Sequence, residues 1–149
     1  PSCGSGNAVR PEPLDTVYVG GGTPSLVPLP LLGQVLKEVD NCFGIASHAE
    51  VTLEADPATF SAPMLEEFYA LGFNRLSVGV QAFQEQLLLE AGRTHTVKET
   101  QTALSAIARS PFADNWSLDL LFGLPQQKAA DWSESIALTL QAAPQHSAT

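Results

Sequence analysis

Four short runs of β-branched, aromatic and leucine residues divide this chain, and a stretch of helical periodicity follows each of them. Thr16–Val19, Glu50–Leu53, Arg75–Val80 and Trp116–Leu121 have the composition of buried strands. Behind the first, Leu31, Leu32, Val35, Leu36, Val39 and Phe43 recur at helical spacing after Pro28 and Pro30, and Gly44 stops them. Behind the second, Ser61 reads as an N-cap for a helix through Met64, Leu65, Phe68 and Leu71, ended by Gly72. A short helix from Gln84 to Glu90 and a longer one from Val97 to about Arg109 follow the third run. After the fourth, a last helix beginning at Asp131 or a little earlier reaches about Ala142, and Gln145-His146-Ser147 reads as the opening of a further strand. Such alternation predicts an α/β fold with a parallel sheet of about four βα units. Residues 1–14, rich in Gly, Pro and Ser, read as a flexible lead-in to a core spanning 15–149.

Parallel strands place all their C-terminal ends on one face, and in barrels and open α/β sheets that face carries the ligand site. Here the first strand runs into Gly20-Gly21-Gly22-Thr23, the second into Glu54-Ala55-Asp56-Pro57 and the third into Gln81, while Asp119 lies inside the fourth. Gly21, Glu54, Gln81 and Asp119 stand 33, 27 and 38 residues apart, each interval long enough for a crossover. They are therefore expected to converge. Glycines at a strand end let the backbone turn sharply and leave its N–H groups open to a ligand.

Each candidate has an alternative. Asp119, flanked by Leu118, Leu120 and Leu121, is expected to face a barrel interior, either toward a ligand or in a buried ion pair with Arg75 or Arg93. Glu54 reads as a ligand contact or a solvated strand-end acid, with Asp56-Pro57 supplying the turn. Gln81 reads as a ligand contact or a partner for backbone groups. Arg93, in the loop Gly92-Arg93-Thr94-His95-Thr96, suits a bound carboxylate or is a surface residue. His95 reads as a solvated loop residue, a ligand or a base. No Ser/His/Asp or Cys/His order stands out, and the three histidines are too scattered for a metal site, so no catalytic residue and no metal ligand is assigned. Glycine N–H groups, two carboxylates, an amide and an arginine together suit a ligand with an α-amino acid end and a ribose, since carboxylates take ribose hydroxyls.

Composition closes off other classes. Sixteen acidic against 7 basic residues give a net charge of −9, which argues against an extended phosphate-binding surface and hence against nucleic acid. No apolar run approaches the length that spans a bilayer. Two cysteines, Cys3 and Cys42, form neither a disulfide framework nor a metal-ligand spacing, and read as inert residues of a reducing interior. The first residue, Pro1, suggests a processed or excerpted segment.

Tyr18-Val19-Gly20-Gly21-Gly22-Thr23-Pro24-Ser25, Thr52-Leu53-Glu54-Ala55-Asp56-Pro57, Asn74-Arg75-Leu76-Ser77-Val78-Gly79-Val80-Gln81 and Leu118-Asp119-Leu120-Leu121-Phe122-Gly123-Leu124-Pro125 occur in that order. Together they resemble the coproporphyrinogen dehydrogenase-like branch of the radical S-adenosylmethionine (radical SAM) proteins, over about Asp15 to Ser147. The resemblance implies part of a (β/α)6 partial TIM-type barrel that binds S-adenosylmethionine beside a 4Fe-4S cluster. Carried over by motif, Gly21, Gly22 and Thr23 contact the methionyl portion and Arg93 holds its carboxylate. Glu54, Gln81 and Asp119 contact the remaining polar groups, ribose hydroxyls included. In such proteins the reduced cluster cleaves the sulfonium, and the protein positions and shields the radical.

Two branches fit, both tied to heme or porphyrin. One is the oxygen-independent coproporphyrinogen III oxidase (dehydrogenase) of heme synthesis. The other is a heme chaperone, which carries heme as cargo to an accepting apoprotein. Gly92-Arg93-Thr94-His95 resembles the chaperone branch, whose members commonly read Gly-Arg-x-His here. The resemblance also implies a Cys-x3-Cys-x2-Cys cluster motif several tens of residues before the glycine turn. Only 19 residues precede Gly20 and Cys3 is alone, so the chain by itself is expected to hold no cluster. A third reading is an inactive α/β fragment with a binding or structural role. The compartment expected is the cytoplasm, or a mitochondrion or plastid in a eukaryote.

Overall fold

A computed structural model describes residues 12–144 and the backbone of 146–148. Cys3 and most of the expected lead-in lie outside the described residues, as does Gln145. The elements run β1 (Leu14–Val19), α1 (Leu29–Phe43), β2 (Ile45–Ala55), α2 (Ala62–Ala70), β3 (Arg75–Gln81), α3 (Glu85–Glu90), α4 (Val97–Ile107), β4 (Trp116–Leu120), α5 (Ala129–Ala142) and β5 (His146–Ala148). All five strands are parallel, and their spatial order is their chain order. Consecutive βα units laid side by side without reversal are the wall of a barrel, not a doubly wound sheet. The expected four βα units are therefore present, followed by the fifth strand.

Local chemistry accounts for the element ends. Pro30 stands in the first turn of α1, where its missing N–H costs no helical bond, and Gly44 at φ 77° ends that helix. Thr96 and Glu99 form a reciprocal capping box at the start of α4, legible in the sequence as Thr-x-x-Glu. One strand is longer than its sequence pattern: β2 starts at Ile45 rather than Glu50. Leu14 lies opposite Ile45 and Thr16 opposite Glu50, so β2 carries an irregularity there that breaks the apolar alternation.

The two faces of the sheet differ sharply. Leu53, Leu76, Val78, Val80, Leu118 and Leu120 point to the helices, where Leu32 and Leu36 of α1, Leu65 and Phe68 of α2 and Ile107 of α4 meet them in one core. A fully buried side chain of this size contributes roughly 1.5–3 kcal/mol. The alternate residues give the other face a polar surface. Tyr18 lies beside Thr52 and Thr52 beside Arg75; Glu54 lies beside Ser77 and Ser77 beside Ser117; Gly79 lies beside Asp119. At the N-terminal end of the sheet, the Asn74 amide bridges Val51 N–H and Ala49 C=O, each at 2.8 Å, which leaves the opposite end to carry the loops.

Candidate functional site

The glycine turn is built around a carboxylate. One oxygen of Glu54 accepts the Gly21 N–H at 2.9 Å, and the other accepts the Tyr18 hydroxyl at 3.0 Å. Gly21 and Gly22 have φ of 92° and 62°, and a Cβ on either would meet no atom within 4 Å, so both face open space. Gly20 is different: its side-chain position is already filled by the Glu54 carboxylate. Partial desolvation holds the hydroxyl of the half-exposed Tyr18 above the usual phenol range; Ser77 pulls it back, while its hydrogen bond to Glu54 and the charges of Glu54 and Asp119 add to the rise.

At the end of β3 the backbone makes a tight γ-turn. Gln81 has φ 68°, and the Ala82 N–H donates across it to Val80 C=O at 2.8 Å. The pairing with β4 slips at this point, from Gly79 opposite Asp119 to Gln81 opposite Leu120. The slip re-aims Gln81, whose amide nitrogen would lie 2.7 Å from a Cβ on Gly79. A positive φ at a non-glycine residue is strain of about 1–3 kcal/mol, and it sits here at the mouth of the sheet.

Asp119 faces the polar side of the sheet, as its position among leucines predicts. Its carboxylate accepts the Ser77 hydroxyl at 3.1 Å, and the Ser117 hydroxyl lies 3.2 Å from Ser77 Oγ. Burial pushes the Asp119 carboxyl above the ordinary range; Ser77 and the Arg75 charge pull it back, and Glu54 adds to the rise. The alternative of an ion pair is not realised among the described residues. Arg75 Nε pairs with Glu50 at 3.8 Å, and Arg93 Nη1 with Asp56 at 3.9 Å.

Asp56 does more than the turn expected of it. Its Oδ1 accepts the Ala58 N–H at 3.3 Å and lies 2.9 Å from His95 Nδ1. Burial works against ionisation of Asp56, but the His95 hydrogen bond and charge, the Ala58 N–H and the Arg93 charge outweigh it and hold the carboxyl below the usual range. His95 is not a solvated loop residue. It is buried, with Nε2 3.2 Å from Val80 C=O.

These groups enclose one cavity of about 160 Å³. Gly22, Thr23, Glu54, Gln81, Arg93 and Asp119 line it, which gathers every expected site residue except Gly21, whose N–H is turned to Glu54. Pro24, Ala55, Asp56, Ser77 and Gly79 line it too, beyond the residues expected to contact a ligand. Ser77 and Gly79 were legible from strand alternation, being two and four residues beyond Arg75 on the same face. Asp56 was hidden by its turn role. The donor set suits a ligand with hydroxyls and a carboxylate. It does not suit an iron–sulfur cluster: no group of three or more His, Cys, Asp or Glu is placed to hold a metal among the described residues, and Cys42 is exposed on α1.

The profile of the Radical SAM superfamily matches residues 7–139. A heme chaperone, HemW, from Synechocystis sp. is 49% identical over 142 residues, covering 95% of this chain and 34% of that protein. The Escherichia coli heme chaperone HemW is 34% identical over 131 residues, covering 88% and 34%. A mouse protein, radical S-adenosyl methionine domain-containing protein 1, mitochondrial, is 38% identical over 133 residues, covering 89% and 30%. The chain thus spans about a third of the length of these relatives. Among solved structures, the coproporphyrinogen III oxidase HemN of Escherichia coli superposes with a TM-score of 0.78 at 24% identity, covering 91% of this chain and 32% of that one, a likeness of fold. With its parallel barrel wall, its glycine turn and the profile match over most of its length, this chain belongs to the radical SAM superfamily.

Proposed function

We infer that the cavity at the C-terminal ends of β2, β3 and β4 is an S-adenosylmethionine site, in the core of a protein that handles heme. The observation that carries the reading is the gathering of Glu54, Gln81, Arg93 and Asp119 around one polar cavity beside Gly22 and Thr23. Arg93 would hold the methionine carboxylate, with Gly22 and Thr23 along the methionyl chain and Gly21, its N–H taken by Glu54, shaping the turn behind them. Glu54 and Asp119 would accept hydroxyl hydrogen bonds, and the Gln81 amide would take the remaining polar edge. When bound beside a cluster whose ligands come from outside the described residues, S-adenosylmethionine supplies radical chemistry. The residues of this chain bind and orient the cofactor.

The heme chaperone reading is favoured over the dehydrogenase by the 49% identity to a heme chaperone, against a likeness of fold alone to the coproporphyrinogen III oxidase. Heme is then cargo, delivered to an accepting apoprotein, in the cytoplasm or an organelle. Saturable heme binding by the full-length protein, read through its Soret band, is the expected result. Turnover of coproporphyrinogen III by the anaerobically reconstituted protein would overturn it in favour of the dehydrogenase. No membrane attachment through a helix of this core is invoked, since no helix among the described residues is long and apolar enough to cross a bilayer.

A further inference from the structure

The arginine of the cavity is held by a chain of contacts that reaches into the core. The His95 side chain, two residues beyond Arg93, is completely withdrawn from solvent, at 0% exposure. Its Nδ1 lies 2.9 Å from Asp56 Oδ1 and its Nε2 3.2 Å from Val80 C=O. Both partners accept only, so both contacts are hydrogen bonds when each ring nitrogen carries a proton. The second oxygen of Asp56 faces Arg93 Nη1 at 3.9 Å. One carboxylate is thus shared between a buried ring and the half-open arginine.

The arrangement has a consequence for the guanidinium. An unconstrained arginine facing an aspartate closes on it with two parallel hydrogen bonds and uses up its fork. Here His95 and the Ala58 N–H hold Asp56 Oδ1, so Asp56 is not free to swing onto Arg93. The pair stays at 3.9 Å: the carboxylate limits where the arginine points without consuming its donors. A long side chain that would otherwise lose much of its rotamer freedom on binding is partly ordered beforehand. Val80 C=O, which accepts from His95, also accepts the Ala82 N–H across the Gln81 turn, so the same ring braces the neighbouring wall of the cavity.

We propose that Asp56 and His95 form a positioning pair that aims the Arg93 guanidinium at a ligand carboxylate, a role that rests on reading the cavity as an S-adenosylmethionine site. Their action on the ligand runs through Arg93, which Asp56 faces at 3.9 Å and His95 reaches through Asp56. The pair makes the site selective for the intact amino acid end.

The test compares calorimetric titrations of S-adenosylmethionine and of decarboxylated S-adenosylmethionine, which lacks only the group Arg93 would hold. The wild-type chain is expected to prefer the carboxylate-bearing ligand by about tenfold, the worth of one charge-assisted contact, and Arg93→Ala to abolish that preference. His95→Gln, and the more exposed Asp56→Asn should the buried variant fail to fold, are expected to cut the preference about threefold or more while affinity for the decarboxylated ligand stays within about twofold. A preference that survives in both variants overturns the proposal, and so does an equal loss of both ligands, which marks a merely structural role. A wild-type chain with no preference, or one whose preference survives Arg93→Ala, sinks instead the reading on which the proposal rests.

Discussion

A Cβ on Gly20 would lie 2.8 Å from the carboxylate carbon of Glu54, in the space that carboxylate occupies while it accepts the Gly21 N–H and the Tyr18 hydroxyl. The glycine turn and the acid at the end of the next strand therefore form one unit. Glycine is needed at position 20 for room, and at 21 and 22 for positive φ.

Gly20→Ala follows from that contact. The colliding atoms belong to the movable ends of Glu54 and Tyr18 rather than to backbone, so the strand can keep its place while the carboxylate is displaced. Expected is a stability loss of only about 1 kcal/mol but a roughly tenfold loss of S-adenosylmethionine affinity. Thermal melts and calorimetric titration check both; unchanged affinity would remove Glu54 from the ligand's contacts.

Gln81→Gly separates strain from binding. Glycine adopts φ 68° freely, which relieves the turn, but it also loosens the unfolded chain. The two effects oppose, so stability is expected to stay within about 1 kcal/mol of wild type while affinity drops for want of the amide. A denaturant melt showing a large loss would mean that the side chain, and not the turn, holds this end of β3.

Asp119→Asn should stabilise the fold at neutral pH. A carboxyl whose folded-state pKa stands above its unfolded value binds its proton more tightly when folded. Its cost is absent below the unfolded pKa, grows as pH rises through the two values, and persists at neutrality. Asparagine removes that cost, so the melting temperature is expected to rise by about 1–3 °C at pH 7 and to match wild type in acid. Ligand affinity is expected to fall together with the gain in stability, because the lost charge is the one that would be offered to a ligand hydroxyl.

Asp56 has the opposite sign. Its folded-state pKa is depressed, so its contribution is present above the ordinary aspartate range and is lost as pH falls through the folded value. Asp56→Asn is expected to cost about 1–3 kcal/mol at neutral pH and to flatten the acid limb of the stability profile. An acid limb unchanged by the substitution would show that the Asp56–His95 contact does not stabilise the fold.

Periodicity was enough to place β3, β4 and the helices of the described residues to within a few residues, because a helix, or a strand with one apolar and one polar face, writes its period directly into the chain. It was less able to place the start of β2, where the irregular pairing with β1 spoils the alternation. The candidate residues were legible for a topological reason. In a parallel sheet each strand end is a known position in space, so Glu54, Gln81 and Asp119 had to meet near the glycine turn.

What the sequence by itself determined is therefore the order of elements, the face that carries the site and most of the residues on it. These follow from local patterns and from the handedness of βα crossovers. Only the tertiary structure decided how those residues are partnered. Asp56 meets His95 across 39 residues of chain, and Ser77 meets Asp119 across 42. Local propensity carries no information about such pairs, because a carboxylate in a turn has the same sequence signature whether its partner is water or a buried ring. The tertiary structure makes the choice: it lays the Glu54 carboxylate over Gly20, and it closes His95 off from solvent between Asp56 and Val80.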